Sequence, residues 1–244
     1  MSDLHPEIFL ETNMLSKKIG GIQIINQVNM QICRGEVHCV IGPNGAGKST
    51  FFKLLTGEYS RSSGDIHFLN QCINKLPPFK RIKMGMGIKF QIPGIFSELT
   101  VHEHLKLSLS HLRPEIHKTP DDIDNLLQRF NLTDEYKQPA GNLSHGKKQW
   151  LEIAMAVSLQ PKILMLDEPV AGLSIDETYV TGELIKQMQS DGLTLVVIEH
   201  DMTFVRQIAS QVTVLHGGQV FAYGNTDQVL AREDVARIYS GNAI

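Results

Sequence analysis

Gly42-Pro43-Asn44-Gly45-Ala46-Gly47-Lys48-Ser49-Thr50 is the stretch of this sequence that decides the fold. It follows an apolar run, residues 37–41, and precedes residues 51–55, whose pattern predicts a helix. A strand, a glycine-rich turn and a helix form the context in which G-x-x-x-x-G-K-[ST] binds phosphate. The glycines let backbone N–H groups point to one place, Lys48 adds a cation, and the helix N-terminus adds partial positive charge. The Ser49 hydroxyl is placed to bind a Mg²⁺ ion that bridges two phosphates.

Length and composition limit the class of protein. The 244 residues suffice for one large domain or two small ones, and 42% hydrophobic with 20% charged residues is ordinary for a soluble globular protein. A net charge of −3 gives no reason to expect a broad basic surface, so nucleic acid is not an expected partner. Cys33 and Cys39 fall in or beside a strand pattern, which predicts buried thiols in a reducing compartment.

The sequence shows no membrane-spanning pattern and no targeting segment. No apolar run approaches the roughly 20 residues that a spanning helix needs, and residues 1–7 lack a basic region followed by an apolar core. We therefore expect a cytoplasmic protein, whose role at a membrane, if any, depends on a partner.

Strands alternate with helices along the chain, which predicts an α/β fold with a mainly parallel core. Residues 8–14, 22–32 and 65–69 are predicted strands around the phosphate loop. Residues 100–130 are predicted to form a helical insertion. Thr100 is its predicted N-cap, and Glu103 lies three residues later, as in a capping box. Residues 143–150 open a long predicted helix that runs through Leu159, and residues 212–222 form a predicted β-hairpin.

Acidic and imidazole side chains follow two short apolar runs. Residues 163–166 predict a buried parallel strand that should run beside the phosphate loop and ends in Asp167 and Glu168. Asp167 can hold the magnesium ion, and Glu168 can accept a proton from an attacking water. His200 follows the next apolar run and could contact the γ-phosphate, and Gln91 could reach the ion or the water. Taken singly, each of these residues is more often a polar strand end or an ordinary loop residue.

A second anion site is predicted about a hundred residues after the first. Leu143-Ser144-His145-Gly146-Lys147 places a serine and a glycine at a helix N-terminus. One chain rarely needs two such sites for one nucleotide, so two copies arranged head to tail could each close the other's site.

In their order, these five motifs resemble the ATP-binding subunit of an ABC transporter over nearly the whole chain. The resemblance implies an ATPase with ATP and Mg²⁺ as ligands and a P-loop NTPase core that carries an antiparallel β subdomain and a helical subdomain. It implies one domain, 1–244, in which 1–90 and 161–244 form the core with the β subdomain and 91–160 the helical subdomain.

The resemblance also implies residue roles. Phosphate-loop residues and Thr50 bind the phosphates; Ser49, Gln91 and Asp167 hold the metal. Glu168 is the base and His200 the switch histidine. Ser144 and Gly146 should contact the γ-phosphate bound by the opposite subunit, and residues 171–174 should line the dimer interface.

The sequence departs from this family in three places. The signature motif usually reads Leu-Ser-Gly-Gly-Gln, and here His145 and Lys147 replace its third and fifth residues, so that Lys147 could favour the bound anion. Ile19 stands where an aromatic side chain usually stacks on adenine, which leaves apolar packing alone. Ser174 stands where the interface loop usually ends in aspartate.

Within the family, the chain looks like the subunits that serve branched-chain amino-acid and urea uptake. Residues 143–153 look most like the urea type, whereas residues 168–173 and 198–202 agree with both. The expected partners are membrane permeases, a second cassette (identical or a paralogue) and, indirectly, a solute-binding protein. The expected location is peripheral, on the inner face of the cell membrane. Residues 92–99 could dock on the permeases or be an ordinary loop.

The sequence leaves two other functions open. A soluble ABC-type ATPase switch or scaffold would share all five motifs, but such proteins often join two cassettes or carry long coiled-coil insertions. A small-molecule kinase would share the phosphate loop but would leave residues 144–147 and His200 unexplained.

Overall fold

A computed structural model describes residues 7–89, 94–110 and 122–239 of the chain. Its secondary structure alternates between strands and helices, as the sequence predicts. The strands are β1 Ile8–Ile19, β2 Ile22–Cys33, β3 Val37–Ile41, β4 Ser63–Phe68, β5 Gln71–Cys72, β6 Met86–Lys89, β7 Ile163–Asp167, β8 Thr194–Ile198, β9 Gln211–His216 and β10 Gln219–Asn225. The helices are α1 Lys48–Thr56, α2 Pro78–Lys83, α3 Val101–Ser110, α4 Asp122–Arg129, α5 His145–Ser158, α6 Ile175–Ser190, α7 Met202–Ile208, α8 Thr226–Leu230 and α9 Glu233–Tyr239.

A six-stranded sheet in the order β10-β9-β3-β8-β7-β6 forms the centre of the fold. Its strands pair in parallel except for β10, which returns antiparallel to β9 as the predicted hairpin. The register pairs Val40 of β3 and Asp167 of β7 with the same residue of β8, Ile198. Because the carboxyl ends of β3, β8 and β7 are therefore level, the chain leaves all three strands at one edge of the sheet.

The order of the strands was not predicted from the sequence. β7 does not pair with β3, the strand that precedes the phosphate loop, because β8 lies between them, although β7 contacts α1, the helix that follows the loop. Local apolar runs identify the buried strands, but the order of the strands in the sheet depends on the crossover connections between them.

Both faces of the sheet are buried, and successive residues of a strand enter different clusters. In β7, Ile163 and Met165 pack with α1 and the second sheet, whereas Leu164 and Leu166 pack with the remaining large helices. This two-sided burial explains why the central strands are continuous apolar runs.

The second sheet is antiparallel and four-stranded, in the order β2-β1-β4-β5. The apolar side chains of α1 lie in one cluster with residues of both sheets. The predicted strand 8–14 continues to Ile19, so that β1 and β2 form one long hairpin whose last paired residues are Ile19 and Ile22. Cys39 is buried as predicted, whereas Cys33 is only half-buried.

Helices α3, α4 and α5 pack on one another and cover the opposite face of the parallel sheet. The predicted cap of α3 is present: Glu103 N–H donates to Thr100 Oγ1, and the Thr100 N–H and hydroxyl both donate to Glu103 Oε2. Within the described ranges, no helix combines the length and apolar character needed to cross a membrane.

Candidate functional site

The loop between β3 and α1 has three positions whose backbone conformation is rare for residues with a side chain. Gly42, Gly45 and Gly47 have φ angles of 154°, 79° and 99°. A Cβ on Gly42 would overlap the carbonyl oxygen of Leu215, and a Cβ on Gly47 would lie 2.8 Å from Ile25 Cδ1. Because Gly47 is also the N-cap of α1, the capping position has no side chain to bond the first amides of this helix. These amides are open to an anion.

Lys48, the first residue of α1, is buried where this loop ends. Its Nζ donates to the carbonyl oxygens of Gly42 at 2.6 Å and Pro43 at 3.1 Å. Burial lowers the pKa of the ammonium, and the carboxylates of Glu168 and Asp167 oppose that shift. A neutral carbonyl is a weaker partner for an ammonium than a phosphate oxygen, so Lys48 is placed to bind phosphate.

Asp167 ends β7 with a carboxylate that the protein leaves incompletely paired. The residue is 3% exposed, and its Oδ1 is buried with no hydrogen-bond partner among the described residues. Burial, followed by the nearby charge of Glu168, raises the pKa of Asp167 to about 6. An unpaired carboxylate oxygen at the edge of the sheet, with the exposed Ser49 hydroxyl at the start of α1, fits a hard cation such as Mg²⁺.

Glu168 and His200 are brought together where β7 and β8 end. Glu168 has a φ of 47°, which is unusual for a residue with a side chain, and its N–H donates to Ile198 O at 3.0 Å. His200 Nδ1 lies 3.7 Å from Glu168 Oε1. Both side chains remain partly exposed, at 24% for Glu168 and 57% for His200, so that both can reach a ligand.

Glu199 is a residue of this site to which the sequence reading gave no role. It is fully buried, and its Oε2 accepts from the N–H of His200 at 2.9 Å. Its Oε1 accepts from the N–H of Val170 at 3.5 Å. Burial raises the pKa of Glu199, while the hydrogen bond from His200 opposes the shift. Glu199 therefore ties the loop after β7 to the loop after β8; its position between an apolar strand and His200 was the available signal.

The second predicted anion site lies at the N-terminus of α5. Ser144 is the N-cap, and its Oγ accepts from the N–H of Lys147 at 3.2 Å. Gly146 packs so closely on α6 that a Cβ there would overlap the carboxylate of Glu177. Lys147 forms an ion pair with Glu135 in this structure, and its suggested effect on a bound anion stays a prediction.

The remaining predicted residues have mixed outcomes. Gln91 lies outside the described residues. Ile19 is 44% exposed at the tip of the first hairpin, beside Ile22 at 68%. Ser174 caps α6 in a complete capping box with Glu177, which gives this departure from the family a structural role.

Comparison with known proteins gives one family. The family model described as ABC transporter matches residues 25–171. The high-affinity branched-chain amino acid transport ATP-binding protein LivG of Escherichia coli K12 is 36% identical, over 96% of this chain and 98% of its own length. The corresponding protein BraF of Pseudomonas aeruginosa is 35% identical over the same shares.

Solved structures agree with the sequence relatives. A crystal structure of the ADP conformation of an ATP-binding cassette of an ABC transporter has a TM-score of 0.84 and 28% identity, over 96% of this chain and 99% of that one. The cbiO1 protein of Clostridium perfringens, part of an ABC transporter complex, has a TM-score of 0.82 and 31% identity, over 95% and 94% of the two chains.

Proposed function

The chain belongs to the ABC transporter family as an ATP-binding subunit, and we propose that it powers the uptake of a branched-chain amino acid or urea. Its ATPase activity is coupled to transport. The observation that carries the solute class is its identity of 36% to a branched-chain amino acid transport ATP-binding protein over 96% of its length. The resemblance of residues 143–153 to the urea type supports urea as the second member of that class.

The residues at the sheet edge support a division of labour on ATP. The backbone of residues 42–47, with Lys48 and Thr50, binds the phosphates, because the glycine loop and the N-terminus of α1 offer N–H groups to an anion; Pro43 has no N–H, and Ala46 N–H already donates to Pro43 O. Ser49, Asp167 and Gln91 would hold Mg²⁺, which when bound neutralises charge on the phosphates.

Two further side chains act on the water that attacks the γ-phosphate. Glu168 takes its proton, since this carboxylate reaches solvent while its backbone is fixed on β8. His200, whose Nδ1 lies 3.7 Å from Glu168 Oε1, orients the same reactants. The buried carboxylate of Glu199 accepts from Val170 N–H and His200 N–H, and it thereby fixes Glu168 and His200 relative to each other.

The site is completed by a second subunit in this proposal. Ser144 and Gly146 at the N-terminus of α5 contact the γ-phosphate held by the opposite cassette, arranged head to tail. ATP binding closes the pair and hydrolysis reopens it. The isolated chain should therefore hydrolyse ATP slowly until it pairs with a copy of itself or a paralogue.

The closing and reopening of the two cassettes is passed to membrane permeases, and a solute-binding protein delivers the solute to these permeases. The chain would sit peripherally on the inner face of the membrane. We also propose the division that the family resemblance implies, into a core with a β subdomain, 1–90 and 161–244, and a helical subdomain, 91–160. Nucleic acid stays outside the expected partners.

The described part of the proposed docking loop, residues 94–99, is anchored yet exposes an aromatic side chain. Glu152 Oε1 accepts from Gly94 N–H at 2.6 Å, and His104 Nε2 accepts from Phe96 N–H at 3.0 Å. Phe96 is nevertheless 60% exposed. A cavity of about 200 Å³ lies beside the loop, lined by Lys89, Glu152 and apolar side chains of α5. We propose this anchored loop, with its exposed aromatic ring, as the surface that docks on the permeases.

Replacement of Glu168 by glutamine tests the enzymatic part of the proposal. Glu168→Gln should keep ATP binding, trap a dimer and abolish turnover, because the amide cannot accept the proton. Steady-state hydrolysis near the parental rate would reject Glu168 as the base. Co-purification with permeases separates the transporter from a soluble ABC-type ATPase switch or scaffold, which would purify without membrane proteins.

A further inference from the structure

We propose that His145 is a positioning residue that fixes the loop 171–174 against the N-terminus of α5, and so links the two nucleotide sites that this chain helps to build. The proposal rests on the proposed function, in which Glu168 serves the chain's own ATP and Ser144 serves the ATP of the opposite subunit. His145 stands where the family usually has glycine, so the link uses a side chain that the usual signature motif lacks.

The hydrogen bond that carries the proposal joins His145 to the loop. His145 Nε2 lies 3.0 Å from the carbonyl oxygen of Ala171. A carbonyl oxygen only accepts, so Nε2 carries the hydrogen. The same ring approaches Gly172: a Cβ there would lie 3.4 Å from His145 Nε2. The imidazole therefore holds the loop by this hydrogen bond, and it lies where a side chain at position 172 would contact it.

A second contact fixes the other end of the loop to the next residue of α5. Glu177 Oε2 accepts from the N–H and the hydroxyl of Ser174, each at 3.0 Å. The same carboxylate packs on Gly146, which has no side chain to push it away. The start and the end of the loop are thus attached to consecutive residues, His145 and Gly146.

The loop is also attached to the proposed base. The N–H of Ala171 donates to the carbonyl oxygen of Glu168 at 3.3 Å, which closes a tight turn. Ser144, the N-cap of α5, is the immediate neighbour of His145 on the other side. A displacement of α5 that follows γ-phosphate contact by Ser144 therefore reaches Glu168 through one hydrogen bond and one turn.

Two substitutions separate the hydrogen bond from the volume of the ring. Glutamine places an amide N–H₂ about as far from the backbone as His145 Nε2, whereas methionine has similar length and no donor. His145→Met should lower the kcat of the assembled transporter for ATP about five-fold, as expected for the loss of one hydrogen bond, and leave KM for ATP unchanged. His145→Gln should restore kcat to within about two-fold of the parent. His67→Met, on β4 of the antiparallel sheet, is the matched control.

Amide hydrogen exchange reads the same contact without turnover. In the isolated chain, His145→Met should speed exchange of the Ala171, Leu173 and Ser174 amides about five-fold, and His145→Gln should not. Parental kcat and exchange in His145→Met, or equal losses in both variants, would overturn the proposal. If the parent itself does not hydrolyse ATP, the proposed function fails, and the exchange measurement still decides whether His145 holds the loop.

Discussion

Replacement of Asp167 by asparagine should stabilise the ligand-free chain while it removes binding of the magnesium–nucleotide complex. Asp167 is buried, its Oδ1 has no hydrogen-bond partner among the described residues, and its pKa is raised to about 6. The unfolded chain ionises this carboxyl near its ordinary pKa of 3.8. Between these two values the folded state holds the proton more tightly, so the folded chain loses stability as the pH rises toward 6 and the loss levels off above it.

The magnitude follows from the shift of about two pKa units. At 1.36 kcal/mol per unit, the ionised carboxylate costs the folded state about 3 kcal/mol at pH 7 and about half of that at pH 5. Asparagine has nearly the same shape and no charge. Asp167→Asn should therefore be more stable than the parent by about 3 kcal/mol at pH 7, with the advantage falling to about 1.5 kcal/mol at pH 5.

Urea unfolding followed by tryptophan fluorescence measures both values. Trp150 is the single tryptophan of the sequence, and it is buried with its Nε1–H donating to Thr181 Oγ1 at 2.9 Å. Asp134→Asn, at an exposed position, is the matched control and should stay within about 0.5 kcal/mol of the parent. A variant no more stable than the parent at pH 7, or an equal difference at both pH values, would refute the reasoning.

The same variant tests the metal role of the residue. Mg²⁺ with ATP should raise the unfolding midpoint of the parent and leave that of Asp167→Asn nearly unchanged, because a ligand stabilises only the state that binds it. An equal rise in both would show that Asp167 does not hold the cation. We therefore expect the carboxylate of Asp167 to lower the stability of the ligand-free chain and to be required for binding of Mg²⁺ with ATP.

Three other substitutions have defined outcomes. Arg81 is fully buried and donates to four carbonyl oxygens, two of them at the end of α1, so Arg81→Met should lower the free energy of unfolding in urea by about 3 kcal/mol or more, and a loss under 1 kcal/mol would show that water replaces it. Ile19→Tyr should lower the KM for ATP a few-fold by adding an aromatic surface for adenine, with kcat unchanged. An unchanged KM would show that adenine does not bind at residue 19. Phe96→Asp should abolish transport and loosen the complex, while transport by an intact complex would reject the docking proposal.

The fold class was predictable because its signals are local. The glycine pattern at residues 42–50 and the apolar runs that became β3, β7 and β8 each show in a short window of sequence. Burial on both faces of the sheet demands continuous apolar runs, and a phosphate loop demands glycine at φ angles such as that of Gly47. The ABC transporter family followed from the order of these windows.

Only the tertiary structure determined which of these sequence segments contact each other. It placed β8 between β3 and β7, paired Lys147 with Glu135, and joined His145 to Ala171. It also buried Asp167, which raised its pKa, and set Glu199 behind the site. These facts depend on contacts between residues distant in sequence, whose energies come from burial and hydrogen-bond geometry. A residue's type and its sequence neighbours therefore determine what chemistry it can perform, and packing determines which partner and which charge state it has.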